Sequence, residues 1–123
     1  MGKRSHLLFT EIHMTYTLND IGGKIVKDNE TYVLVDNTDL KNLVLSSTFL
    51  KPGKETRGHS HPGQEEVYIF VSGRGTIQVG DDHQQVEAGH VVLIPDGAFH
   101  KVFNRSDTHP LYFVCVFDGK RSH

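Results

Sequence analysis

Residues 59–73 read His59-Ser60-His61-Pro62-Gly63-Gln64-Glu65-Glu66-Val67-Tyr68-Ile69-Phe70-Val71-Ser72-Gly73. In an extended chain the side chains at i and i+2 share a face, so His59 and His61 project together. Two convergent imidazoles are a common start to a transition-metal site. Pro62-Gly63 then turns the chain, and an apolar run follows that opens on two carboxylates. A carboxylate at the mouth of a buried strand needs a partner, and a metal ion would supply one. The alternative for either Glu65 or Glu66 is a solvated strand end.

Working outward, the chain is punctuated at short intervals. Strands are predicted near Thr31–Asp36, Asn42–Leu50, Thr56–His61, Glu66–Ser72, Gly75–Val79, Gln84–Glu87, Val91–Ile94, Phe99–Asn104 and Leu111–Phe117. Pro52-Gly53 suits a type II turn, Gly80-Asp81-Asp82 a tight hairpin and Pro95-Asp96-Gly97 another reversal. Composition agrees. There are 28 β-branched residues (13 Val, 6 Ile, 9 Thr) against two alanines, Ala88 and Ala98, which favours pleated, half-buried surface over helix. A third histidine, His100, heads the Phe99–Asn104 strand. If that strand crosses beside His59 and His61, three nitrogens and one carboxylate oxygen meet at one ion.

At this point the sequence resembles the cupin family. Gly53-x5-His59-x-His61-x4-Glu66-x6-Gly73 matches the first cupin motif, and Gly89-x5-Pro95-x-Gly97-x2-His100-x3-Asn104 matches the second. All ten fixed positions agree, and 15 residues separate the motifs. The resemblance implies an all-β, single-domain antiparallel β-barrel, the double-stranded β-helix or jelly roll. It implies one divalent transition metal per chain (Fe, Mn, Ni, Co or Zn), held by His59, His61, Glu66 and His100. The motif count to Gly73 selects Glu66 over Glu65, and Glu66 also shares strand parity with Tyr68 and Phe70.

The resemblance also implies a broad function, because cupins include dioxygenases, decarboxylases, lyases and sugar or sugar-phosphate isomerases. The expectation is a metal-dependent enzyme acting on a small oxygenated anion. The alternative is a non-catalytic metal- or sugar-binding module. Arg57 shares parity with His59 and His61 if that strand is regular, and would then clamp an acidic group beside the metal. Its other reading is a rim residue that pairs with Glu55 or with solvent. Tyr68 offers a phenol as proton carrier, or else packs in the core. Gln78, and the rings of Phe49, Phe70, Phe99 and Phe103, are further candidates for the pocket or a dimer face. His90 and Asn104 are expected to be structural, and Cys115 a buried small hydrophobe.

The domain is expected to span residues 1–123, with an N-terminal arm or edge segment at 1–25, a barrel at 26–118 and a tail at 119–123. Residues 6–20 fit either a short helix or an edge strand, and their apolar members suggest a homodimer. GKRSH stands at both Gly2–His6 and Gly119–His123, and both copies are expected to be solvated ends. With 13 Lys and Arg against 15 Asp and Glu, no nucleic-acid partner is expected. No long apolar run suggests a membrane span. One cysteine excludes an intramolecular disulfide, and with no signal core evident a cytoplasmic location is the expectation.

Overall fold

The computed structural model describes residues 14–119. Nine strands are present among them: β1 (Lys24–Asp28), β2 (Tyr32–Asn37), β3 (Leu43–Leu50), β4 (Glu66–Ser72), β5 (Arg74–Val79), β6 (Asp82–Glu87), β7 (Val91–Ile94), β8 (His100–Phe103) and β9 (Leu111–Asp118). They form a six-stranded sheet in the order β1-β2-β3-β9-β4-β7 and a three-stranded sheet in the order β6-β5-β8. Every pairing of named strands is antiparallel. This is the double-stranded β-helix expected from the two motifs.

Alternation explains which face is buried. On the large sheet, Leu34, Thr48, Phe113 and Phe70 form one inward row, and Ser46, Cys115 and Tyr68 the next. A third inward row runs Val44, Phe117, Glu66, Ile94. The small sheet turns Ile77, Val86 and Val102 toward them, and these residues join one buried cluster. Each such side chain, fully buried, stabilises the fold by roughly 1.5–3 kcal/mol.

The chain passes from the large sheet to the small one at Gly73, between β4 and β5. Gly73 has φ +89°, and a Cβ there would run into the Pro110 carbonyl oxygen. Only glycine suits both the backbone conformation and that close approach.

Eight of the predicted strands correspond to β2–β9, with ends shifted by a residue or two. The expected turns are present. Lys54 N donates to Lys51 O around Pro52-Gly53, and β5 and β6 pair Val79 with Asp82 across Gly80-Asp81.

Two expectations need correction. Thr56–His61 is no continuous strand. It meets β8 at two separate points, Thr56, which donates from N to Val102 O and accepts from Val102 N at Oγ1, and the isolated bridge His59↔His100, because Gly58 at φ +81° breaks the extended run between them. In addition, β1 is a strand that the sequence reading did not mark. Of residues 6–20, the part 14–20 is neither helix nor strand. It contains a tight turn in which Thr17 and Asp20 exchange backbone hydrogen bonds. Readings placed on residues 1–13 and 120–123 lie outside the described residues. Among the described residues no helix is long and apolar enough to cross a membrane.

Candidate metal centre

The long-range crossing that spacing alone could not supply is made by two backbone bonds. His59 N donates to His100 O at 3.1 Å and His100 N to His59 O at 3.0 Å. Directly opposed residues in an antiparallel bridge project to the same face. The two rings therefore meet, with centroids 5.0 Å apart, and His61 lies 4.5 Å from His59 and 5.9 Å from His100. One nitrogen from each of the three rings lies within 4.8 Å of the others.

Two turns hold this arrangement. His61 O accepts from Gln64 N across Pro62-Gly63, and Pro95 O accepts from Ala98 N across Asp96-Gly97. The Asp96 carboxylate then accepts from Gly63 N at 2.7 Å, which ties the two motif turns together. Gly58 lies under this corner. A Cβ there would come within 2.6 Å of the Phe99 ring.

Glu66 enters from the facing sheet. Its inward position on β4 between Ile94 and Phe117 leaves it 7% exposed, whereas Glu65 is exposed. Glu66 Oε2 lies 3.2 Å from His100 Nε2 and 4.0 Å from His61 Nε2. Two donors of one ion, each about 2.1 Å from it, lie about 3.0–4.2 Å apart. Both separations fall in that range.

His100 supplies the sharpest test of fit. Its Nδ1 lies 3.0 Å from the Ala98 carbonyl oxygen. A carbonyl only accepts, so Nδ1 carries the proton, and the neutral ring keeps its lone pair on Nε2. That nitrogen is buried and has no hydrogen-bond partner. A lone pair facing a buried carboxylate needs a cation near both, and a divalent metal satisfies the need. The side-chain to backbone bond at Nδ1 is the kind of outer contact that orients a ligating imidazole. The three histidines thus fit a metal ion.

Without metal the needed cation is a proton. Burial is the largest influence on His100 and lowers its pKa. The Glu66 carboxylate and the Ala98 carbonyl together outweigh burial, so the pKa is raised above its ordinary value. The folded state then binds this proton more tightly than the unfolded chain does. The contribution is fully present below the unfolded-state pKa and is lost as pH rises through the folded-state value. Protein stripped with a chelator is expected to lose stability across the upper histidine range. Metal-loaded protein is expected to gain metal affinity over the same interval, since the ligands must be deprotonated. Melting curves with and without chelator, taken across that range, check both slopes.

The histidines stand in the wall of a cavity of about 520 Å³. They grade from exposed His59 through half-buried His61 to buried His100. Leu34, Phe113, Cys115 and Phe117 give apolar walls, and Thr48, Tyr32 and Gln64 add polar groups. Tyr68 packs in the core, stacked on Phe113 at 5.3 Å and edge-on to His100 at 5.7 Å, and it also lines the cavity.

Arg57 also lines the cavity but is exposed. The parity argument for it fails, because Gly58 interrupts the strand. Its alternative partner Glu55 is engaged by Lys101 at 3.1 Å. None of Phe49, Phe70, Phe99 and Phe103 is among the residues lining the cavity; Phe113 and Phe117 take that place. Gln78 bonds the Gly80 carbonyl instead. His90 is exposed, and its Nδ1 accepts from Glu87 N. Cys115 is buried. Lys27, which sequence reasoning missed, lines the cavity from β1.

Comparisons with known proteins agree with this architecture. An uncharacterized protein of Streptomyces coelicolor is 48% identical over 59 residues, covering 48% of this chain and 54% of that one. A probable oxalate decarboxylase of Arthroderma benhamiae is 32% identical over 94 residues, covering 68% of this chain and 23% of that one. The chain thus spans about half and about a quarter of the length of these two relatives. Among solved structures, an uncharacterized conserved protein with a double-stranded beta-helix domain from Klebsiella pneumoniae superposes with a TM-score of 0.75 at 18% identity, over 91% of this chain and 95% of that one. That likeness shows the fold alone. The family profile described as "Cupin domain" matches residues 47–117, which contain the three clustered histidines and Glu66. The chain belongs to the cupin family.

Proposed function

We propose that this chain is a divalent-metal-dependent enzyme acting on a small oxygenated anion, with His59, His61, His100 and Glu66 as the metal ligands. The observation that carries this reading is the cluster of three imidazoles, with a buried carboxylate beside His100 and His61, on the wall of a cavity large enough for a small molecule. Four ligands leave up to two positions of an octahedron for substrate. When bound, the ion acts as a Lewis acid on a ligating oxygen.

The chain's own residues supply the rest. Phe113, Phe117 and Leu34 exclude water from one side of the cavity. Among the described residues Glu66 is the one carboxylate lining it, against the cations Lys27 and Arg57. With a divalent ion added, the site carries net positive charge and favours an anion. The Arthroderma benhamiae relative, a probable oxalate decarboxylase, supports a small carboxylate as the substrate class.

The test is turnover by metal-loaded protein on a panel of small carboxylates, hydroxy acids and sugar phosphates, one divalent metal at a time. Carbon dioxide release, oxygen uptake and exchange of substrate protons with solvent separate the decarboxylase, dioxygenase and isomerase branches. Metal-dependent turnover of an anionic substrate is expected. Tight binding of an anion that returns unchanged under every metal overturns the enzyme reading in favour of a binding module.

A further inference from the structure

We infer that Lys27, turned into the cavity by a bulge in β1, is a second anion-binding point of the site, and that with Arg57 it selects ligands carrying two separated acidic groups. The inference rests on the proposed metal site and adds to it the ligand class that site takes.

The register of β1 on β2 carries the argument. Lys24 pairs with Asp36 and Ile25 with Val35. An unbroken ladder would next place Val26 opposite Leu34 and Lys27 opposite Val33. Instead Lys27 pairs with Leu34 and Asp28 with Val33, with the register shift between Ile25 and Lys27. Leu34 lines the cavity, whereas Val33 does not. A shift of one residue moves a side chain to the other face of a sheet. The extra residue at Val26 therefore exchanges a valine for a lysine on the cavity wall. Bulges at sheet edges beside sites re-aim side chains in this way, and β1 is an edge strand.

The electrostatics point in the same direction. Among the described residues neither Lys27 nor Arg57 has an ion-pair or hydrogen-bond partner, while Lys101 is engaged by Glu55 and Lys51 by the Asn29 carbonyl. The two come from different lips of the barrel. Lys27 sits on the edge strand of the large sheet, and Arg57 on the segment that bridges to β8 at the edge of the small one. Both are exposed, whereas Glu66 and His100 are buried. The two cations thus stand at the mouth and the innermost metal donors at depth. A monoanion ligated at depth leaves the cations unpartnered. A second acidic group, carboxylate or phosphate, held away from the first satisfies them.

Binding titrations on metal-loaded protein test this, with acetate, oxalate, succinate and phosphoglycolate as probes. Succinate or phosphoglycolate is expected to bind about tenfold more tightly than acetate, the scale of one added charge-assisted contact at an exposed site. The better of the two identifies the second group as carboxylate or phosphate. Lys27→Gln is expected to remove most of that preference, weakening succinate and phosphoglycolate far more than acetate, and to leave metal content unchanged. Deletion of Val26 is expected to keep the preference, because the regular ladder that results places Lys27 directly after Ile25 and still opposite Leu34. Lys24→Gln, on the same strand but off the cavity, is the control. If metal and acetate bind but the separated diacids show no advantage, or if Lys27→Gln retains it, the inference fails and the proposed function stands. If metal-loaded protein cannot be prepared, or acetate does not bind, both fail.

Discussion

Replacing His100 by alanine is expected to abolish stable metal binding. The imidazole is 2% exposed and its Nδ1 is locked on the Ala98 carbonyl, so Nε2 has one place to point. Loss of a mere outer-shell partner typically weakens metal binding 10–100-fold; loss of this ligand should cost at least about 100-fold. Elemental analysis of protein purified without a chelating column reads the effect. A competition titration gives its size. His83→Ala, on the exposed β6 hairpin, is expected to retain full metal. His100→Gln serves as a second variant, because it fills more of the space and separates lost ligation from lost packing. Removing the imidazole also leaves Glu66 buried without its nearest cationic partner, a change that costs about 3 kcal/mol when such a pair is broken. Full metal occupancy in both His100 variants would contradict the assignment.

The second large effect belongs to Asn104, where the outcome is loss of stability rather than of metal. Asn104 is 2% exposed. Its Nδ2 donates to the Leu50, Lys51 and His109 carbonyls at 3.1, 3.2 and 2.9 Å. Its Oδ1 accepts from Ser106 N at 3.1 Å. One side chain thus pins the end of β3 to the loop between β8 and β9. Asn104→Ala strands several backbone groups in a buried place, each at about 1–3 kcal/mol. A loss of about 4 kcal/mol is expected, which lowers the melting midpoint by roughly 10–15 °C for a domain of this size. Metal content measured well below the new midpoint should match the parent protein. A midpoint within two or so degrees of the parent, roughly the shift of half a kcal/mol, would show that these bonds contribute little.

These two residues were both legible in the sequence, for different reasons. His59, His61, Glu66 and His100 stood out because their spacing matches two motifs. Glu66 was separable from Glu65 because it shares parity with Tyr68 and Phe70, and all three are buried as that parity requires. Asn104 read as a turn partner because amides commonly bond local backbone. Arg57 was legible only as a candidate. The inference that it points inward assumed an unbroken strand, and Gly58 at φ +81° removes that assumption.

Lys27 was not legible at all. Its strand shows no alternation of burial, with only Val26 partly covered, so no period marked it. The bulge that turns Lys27 inward exists only as a register against β2. Likewise the meeting of His59 with His100 depends on a bridge between residues 41 positions apart in the chain, which local spacing cannot encode. What sequence pattern conveyed was which side chains carry chemistry. What it could not convey was how distant edges of two sheets bring them together.

The most direct measurement is an anomalous-scattering map from a crystal grown with a divalent transition metal, collected at that metal's absorption edge. One peak per chain is expected, within bonding distance of nitrogens from His59, His61 and His100 and of a Glu66 carboxylate oxygen, with its open side toward Lys27 and Arg57. A map with no peak among these four side chains, or with the His100 ring turned away from a peak bound elsewhere, would contradict the metal centre and every functional statement built on it.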